Sequence, residues 1–142
     1  PYRQRLDQTM NEVLAVSTLH ANNAPQALER IINMFPETMH KTLFMDLSIY
    51  LRAILSQRLV RSISGGRRAA LEILINTPHI ADLIREGRVD AVKEAMQESR
   101  QEGVKTFDDA LLALYKEGSI SFEEALANAD SAPNLEARIH FG

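Results

Sequence analysis

Residues 59–75 read Leu-Val-Arg-Ser-Ile-Ser-Gly-Gly-Arg-Arg-Ala-Ala-Leu-Glu-Ile-Leu-Ile, and here the hydrophobic period of the chain changes. Leu59 to Ile63 and Ala69 to Ile75 flank the turn residues Ser64-Gly65-Gly66, and Leu71, Ile73 and Ile75 alternate with Glu72 and Leu74. A period of two on both sides of a glycine pair predicts a β-hairpin. Upstream, Met39, Leu43, Leu47, Tyr50, Leu51 and Ile54 recur at spacings of three and four, which predicts one long helix over residues 38–57. Before it, Leu28, Ile31, Ile32 and Phe35 form the stripe of a short amphipathic helix between Pro25 and Pro36. Val13 to Leu19 is a β-prone run closing on the turn-rich His20-Ala21-Asn22-Asn23-Ala24-Pro25, read as strand, turn and helix start.

Downstream of Asn76 the pattern is helical. Thr77 caps a helix with Pro78 in its first turn, and Gly87 stops it. A second helix carries Val89, Val92 and Met96 on one face and runs to Gly103. Thr106 opens a third, with Phe107, Ala110, Leu111, Leu114 and Tyr115 on one stripe before Gly118. Ser121-Phe122-Glu123-Glu124 reads as a full capping box opening a fourth, and residues 131–142 as a loosely attached tail. The expected fold is mainly α with a small β-hairpin.

At 142 residues the chain has the length of one domain, with 45% hydrophobic and 25% charged residues. Its 16 basic residues are outnumbered by 19 acidic ones, which removes any global attraction to nucleic acid. The absence of cysteine excludes disulfides, thiolate ligands and cysteine nucleophiles. No apolar stretch approaches the roughly 20 residues that span a bilayer, so no direct membrane insertion is expected. The polar opening at Pro1, with no initiator methionine, leads to the expectation of a piece cut from a longer protein.

Chemistry is sparse in this sequence. No phosphate loop of the form G-x-x-x-x-G-K-[ST] occurs, since Gly65-Gly66 is followed by Arg67-Arg68 and a strand. The four histidines, at positions 20, 40, 79 and 140, are scattered without a ligand pattern, so no metal site is assigned. Asp108-Asp109 and Glu123-Glu124 fall in first helical turns, where carboxylates cap backbone N–H groups and complement the dipole. Between Leu47 and Leu71 stand Arg52, Arg58, Arg61, Arg67 and Arg68 with no acid among them. Two accounts of this basic patch stand side by side: a solvated face balanced by acids from elsewhere in the fold, or contact with a phosphate or a neighbouring subunit. His20, on a turn after a β-prone run, is placed either for ligand sensing or as a surface residue.

Several segments taken together resemble one family, the type IV pilus retraction (twitching motility) ATPases of the PilT/PilU type. Ser17-Thr18-Leu19-His20-Ala21-Asn22-Asn23-Ala24 looks like the His box of secretion ATPases, and Ala27 to Pro36 is similar to the helix that follows it. Ile54 to Leu59, Gly65 to Ala70 and Glu72 to Pro78 continue the likeness in order. His79-Ile80-Ala81-Asp82-Leu83-Ile84-Arg85-Glu86 resembles the retraction motif Ala-Ile-Arg-Asn-Leu-Ile-Arg-Glu, agreeing at Ile80, Leu83, Ile84, Arg85 and Glu86. The ending Ala127-Asn128-Ala129-Asp130-Ser131 looks closer to the accessory, PilU-like branch. Arg3 to Met10 resembles the arginine-rich stretch after Walker B, with the residues expected before the His box missing through deletion, divergence or a loop left out.

This resemblance implies the C-terminal helical part of a RecA-like secretion ATPase domain. Residues 1–36 would be a remnant of the ATPase core carrying the His box, and residues 37–142 a C-terminal helical domain with the hairpin and the motif helix. Thr18 and His20 would sense nucleotide, and the motif helix would serve retraction. Arg58, Arg61, Arg67 and Arg68 would contact phosphate or a subunit. The family further implies ATP and Mg, a homo-hexamer, a sister retraction ATPase and the inner-membrane pilus platform as partners, and a cytoplasmic location beside that membrane. The phosphate loop and Walker B glutamate would precede this piece, so the chain alone is expected to need no cofactor, to supply no catalytic residue and to be inactive. The competing function class is a non-catalytic helical interaction module that binds a pilus motor or platform protein.

Overall fold

The computed structural model describes residues 14–142. The stretch likened to the arginine-rich segment, and Val13 itself, lie outside the described residues. The element order is α1 (Ala24–Asn33), a 3-10 turn (Glu37–Met39), α2 (His40–Tyr50), β1 (Ala53–Arg61), β2 (Arg67–Ile75), α3 (Pro78–Arg85), a second 3-10 turn (Val89–Ala91), α4 (Val92–Glu98), α5 (Phe107–Lys116), α6 (Phe122–Asn128) and α7 (Ala132–Phe141). The hairpin is present and longer than expected, with nine paired positions from Ala53↔Ile75 to Arg61↔Arg67.

Four expectations are corrected. Residues 14–20 carry no strand, and Leu14 and Val16 lie exposed, because no strand among the described residues pairs with them. The long helix ends at Tyr50, and residues 53–57 belong to β1. Asn76 fixes that break: its Nδ2 donates to the carbonyls of Ser48 and Leu51, and its backbone N–H to Arg52 O, so the helix end and the open end of the hairpin are held by one residue. The helix of Val92 stops at Glu98 instead of running to Gly103, since the chain must turn to lay Lys105 beside Ile73, with N···O distances of 2.7 and 2.9 Å. The tail is a helix, α7, and Leu135 from it is fully buried.

Local capping is otherwise where sequence chemistry puts it. Thr77, Thr106 and Ser121 side chains accept from the N–H groups of Ile80, Asp109 and Glu124. The reciprocal box closes only at Thr106–Asp109; Glu124 turns its carboxylate instead to Arg61 N–H, 2.7 Å away, and so ties α6 to the hairpin. Gly87 ends the motif helix at φ +73°, and a Cβ there would stand 2.9 Å from the Phe44 ring, so a side chain is refused on two grounds.

One face of the hairpin is covered by two separate cores. Leu74, near its open end, packs with Ala24, Leu28, Leu47, Ile80, Leu83, Ile84, Val92 and Met96. Val60 and Ala70, near its turn, pack with Phe107, Ala110, Leu111, Ile120, Ala125 and Leu135. The face pointing inward is therefore Ala70, Glu72 and Leu74, not the apolar series Leu71, Ile73 and Ile75, of which Leu71 is exposed. Replacing Leu135→Ala should cost about 2–5 kcal/mol in urea unfolding, because it empties a filled position in the second core. A loss below about 0.5 kcal/mol, the range of surface sites, would show the tail to be undocked.

Candidate functional site

Thr18 and His20 lie exposed on the segment that enters α1. Asn23 Oδ1 accepts from Gln26 N–H at 2.9 Å while Gln26 Oε1 accepts from Asn22 N–H at 2.7 Å, a reciprocal cap that fixes the turn just after His20. A third bond comes from the hairpin: Glu72 Oε1 accepts from Ala24 N–H at 2.7 Å, with Glu72 only 1% exposed. A buried carboxylate thus serves a first-turn N–H of a helix 48 residues away in sequence.

Beside Glu72 on the same inward face stands Arg58 of β1. Its guanidinium donates to Asn128 O at 2.8 Å, to Asp130 Oδ1 at 2.7 Å and to Asn22 O at 3.3 Å, and lies 3.9 Å from the centre of the Phe107 ring. Asp130 is also paired with Lys93 of α4 at 3.0 Å, and the Asp130 and Ser131 N–H groups are received by Asp108 at 2.8 and 3.2 Å. Asn22, Arg58 and residues 127–130 surround a shallow cavity of about 360 Å³. Sequence reasoning missed Glu72, Asp130 and Asp108 here. The available signal was that Glu72 shares its strand face with Ala70 and Leu74, and an acid on a buried face must find a partner.

The basic patch divides on inspection. Arg58 is balanced by Asp130, and Arg68 by an exposed pair with Glu117 at 2.7 Å. Arg61 and Arg67 face each other across the last rung before the turn, both exposed. On the motif helix α3, Ile80, Leu83 and Ile84 are buried in the first core, next to Leu28 of α1. Arg85 and Glu86 are exposed, pairing with Asp82 at 3.0 Å and Arg88 at 3.6 Å. Such exposed pairs contribute little to stability, which leaves both side chains available to other contacts. Among the described residues no group of three or more metal-ligating side chains occurs, and no helix is long and apolar enough to cross a membrane.

No known family profile matches the chain. It is 53% identical over 130 residues to the type IV pilus ATPase PilU of Pseudomonas aeruginosa, covering 91% of this chain and 34% of that protein. It is 37% identical over 122 residues to the type IV pilus retraction ATPase PilT of the same organism, covering 86% and 36%. Over nearly all of its length the chain is similar to the C-terminal part of the PilT/PilU-type pilus ATPases. The crystal structure of the pilus retraction motor PilT with bound ADP superposes with a TM-score of 0.82 at 34% identity, over 95% of this chain and 38% of that one. The mainly helical fold with one hairpin is thus that of the C-terminal part of a secretion ATPase domain. The chain spans about a third of the length of the curated relatives it matches.

Burial raises the pKa of Glu72 above its ordinary 4.5, and the Asp130 carboxylate adds to the rise, outweighing the Ala24 N–H, Arg58 and Lys93 that oppose it. The folded state therefore keeps this proton to a higher pH than the unfolded chain does. Its stabilising effect is complete below the unfolded value and is lost as pH rises through the folded one. Glu72→Gln removes that titration, so the stability of the variant relative to the parent chain should climb with pH above 4.5 and then level off, in urea unfolding between about pH 4 and 8. A difference that falls with pH would mean that Arg58 and Lys93 dominate and the carboxylate is ionised throughout.

Proposed function

We propose that this chain is the C-terminal, force-delivering portion of a hexameric ATP-driven motor that retracts type IV pili. The observation that carries the reading is the 53% identity to PilU over 130 residues, 91% of this chain. In this reading ATP and Mg are bound by sequence upstream of the chain and by neighbouring subunits of the hexamer. Among the described residues the glycine pair builds no phosphate cradle. Gly65 and Gly66 have positive φ, yet they sit at the open tip of a hairpin and are followed by a strand, so no helix N-terminus points at them.

Within that motor, Thr18 and His20 report on the nucleotide from the exposed segment that enters α1, and Ile80, Leu83 and Ile84 anchor the motif helix so that Arg85 and Glu86 are presented outward. Of the four arginines that the resemblance assigns to phosphate or subunit contact, Arg61 and Arg67 at the hairpin end are left for a neighbouring subunit, because Arg58 and Arg68 have acids of their own. A sister retraction ATPase and the inner-membrane pilus platform are the partners this role requires, on the cytoplasmic side. A stand-alone interaction module is not favoured by any feature of the chain.

Two measurements test the reading. In the full-length protein, Arg85→Ala and Glu86→Ala should leave stability within about 0.5 kcal/mol, as for other exposed sites, and ATP turnover within roughly twofold, while pilus retraction is lost. Loss of turnover itself would overturn the assignment of α3 to force delivery. Calorimetric titration of Mg-ATP into the 142-residue chain should give no heat of binding, whereas a Kd near 1 µM, about −8 kcal/mol, would reveal a phosphate site within it.

A further inference from the structure

A partly buried cluster of charges, built on Glu72, Arg58 and Asp130, touches both cores of the hairpin and also the segment that carries His20. Residues 14–20 are exposed and belong to no helix or strand. Their direction relative to the rest of the fold is set where the chain enters α1, at Asn22 and Ala24, and both of those backbone groups are held by the hairpin: Asn22 O by Arg58 and Ala24 N–H by Glu72. The Nη2 of Arg58 that reaches Asn22 O also donates to Asp130, and its Nη1 donates to Asn128 O, so the same guanidinium holds the end of α6 and the link to α7. Asp130 is held in turn by Lys93 of α4 and by Asp108 at the start of α5.

We infer that Arg58 and Glu72 form a joint that sets the position of the His-box segment from the position of the C-terminal helices, which makes both of them positioning residues for His20. The inference rests on the motor reading above. Arg58 suits this task for a geometric reason. A planar guanidinium offers donors in fixed directions, so its contacts to Asn22, Asn128 and Asp130 cannot shift independently of one another. A displacement of the α6–α7 link therefore arrives at Asn22, two residues from His20, through a rigid body. Glu72 fixes the other end of the same short stretch, so the stretch moves with the hairpin as one piece. Lysine at position 58 would keep the charge and lose the fork, and methionine at position 72 would keep the volume and lose the acceptor. Simple core packing would be indifferent to either change, or improved by the second.

The test uses the full-length motor for kinetics and the 142-residue chain for hydrogen exchange. Arg58→Lys and Glu72→Met should each lower kcat for ATP by about tenfold with KM within roughly twofold, and Glu72→Gln, which keeps an acceptor, should restore most of the loss. Asp130→Asn should reproduce the Arg58→Lys effect, and the double variant should be no worse than either single one, as expected for residues acting as a unit. In the chain, exchange at the amides of residues 21–26 should accelerate by about tenfold or more in Arg58→Lys and Glu72→Met, with the two cores still protected. Unchanged kcat despite faster local exchange would overturn the joint as a functional device, as would acceleration spread evenly over both cores. An unmodified full-length protein that does not hydrolyse ATP would instead remove the motor reading beneath it.

Discussion

A carboxylate held 1% exposed on a strand, with a backbone N–H 2.7 Å away, constrains this fold more than any apolar contact does. Both faces of the hairpin carry large apolar side chains, so hydrophobic burial alone would choose poorly between them. A slip of one residue would turn Leu71 and Ile73 inward and Glu72 outward. The buried acid and the arginine beside it settle the choice, because Ala24 N–H, Asp130 and Asn128 wait for them on one side only. Ionic groups in an interior are costly and are often matched in stability by apolar replacements. Their contribution here is to register and to the relative placement of elements.

The consequence is an inward face that reads apolar, polar, apolar along its length. Ile54 and Leu74 join the first core, Val60 and Ala70 the second, and Ser56, Arg58 and Glu72 occupy the seam between. The motif helix belongs to the first core and the α6–α7 link borders the second, while the His-box segment emerges at the seam. Segments that resemble three different family motifs in sequence are thus brought to one hairpin.

Punctuation was the most readable part of the sequence, because caps are local chemistry: Thr77, Thr106 and Ser121 act where they stand, and Gly87 and Gly118 have the positive φ expected of helix stops. The misreadings share a different cause. Ile54 continues the helical spacing of α2, yet residues 53–57 pair with 71–75, and a distant strand outweighs local periodicity. Polar and scattered apolar residues after Ser131 concealed a helix that docks through Leu135, with Ile139 packed beside it and Arg138 paired with Asp109. Thr18, Arg85 and Glu86 were singled out only through resemblance and His20 also by its turn, whereas Glu72 and Asp130 could not be recognised before the strand face was known. Their meaning depends on residues far away in the chain.

The dependence of the second core on α7 bears on the order in which the molecule can be made. As the chain leaves the ribosome, the first core has all its members once α4 is complete, and it can close around Leu74 early. Val60 and Ala70 have already been synthesised by then, but their cover comes from α5, α6 and finally Leu135. One half of the hairpin therefore stays uncovered until the last helix emerges, and its apolar surface is open to other chains during that interval. Arg61, Arg67 and Arg68 sit around that same half, and their mutual repulsion between nascent copies opposes association until Glu117 and Glu124 arrive from the helices that close it.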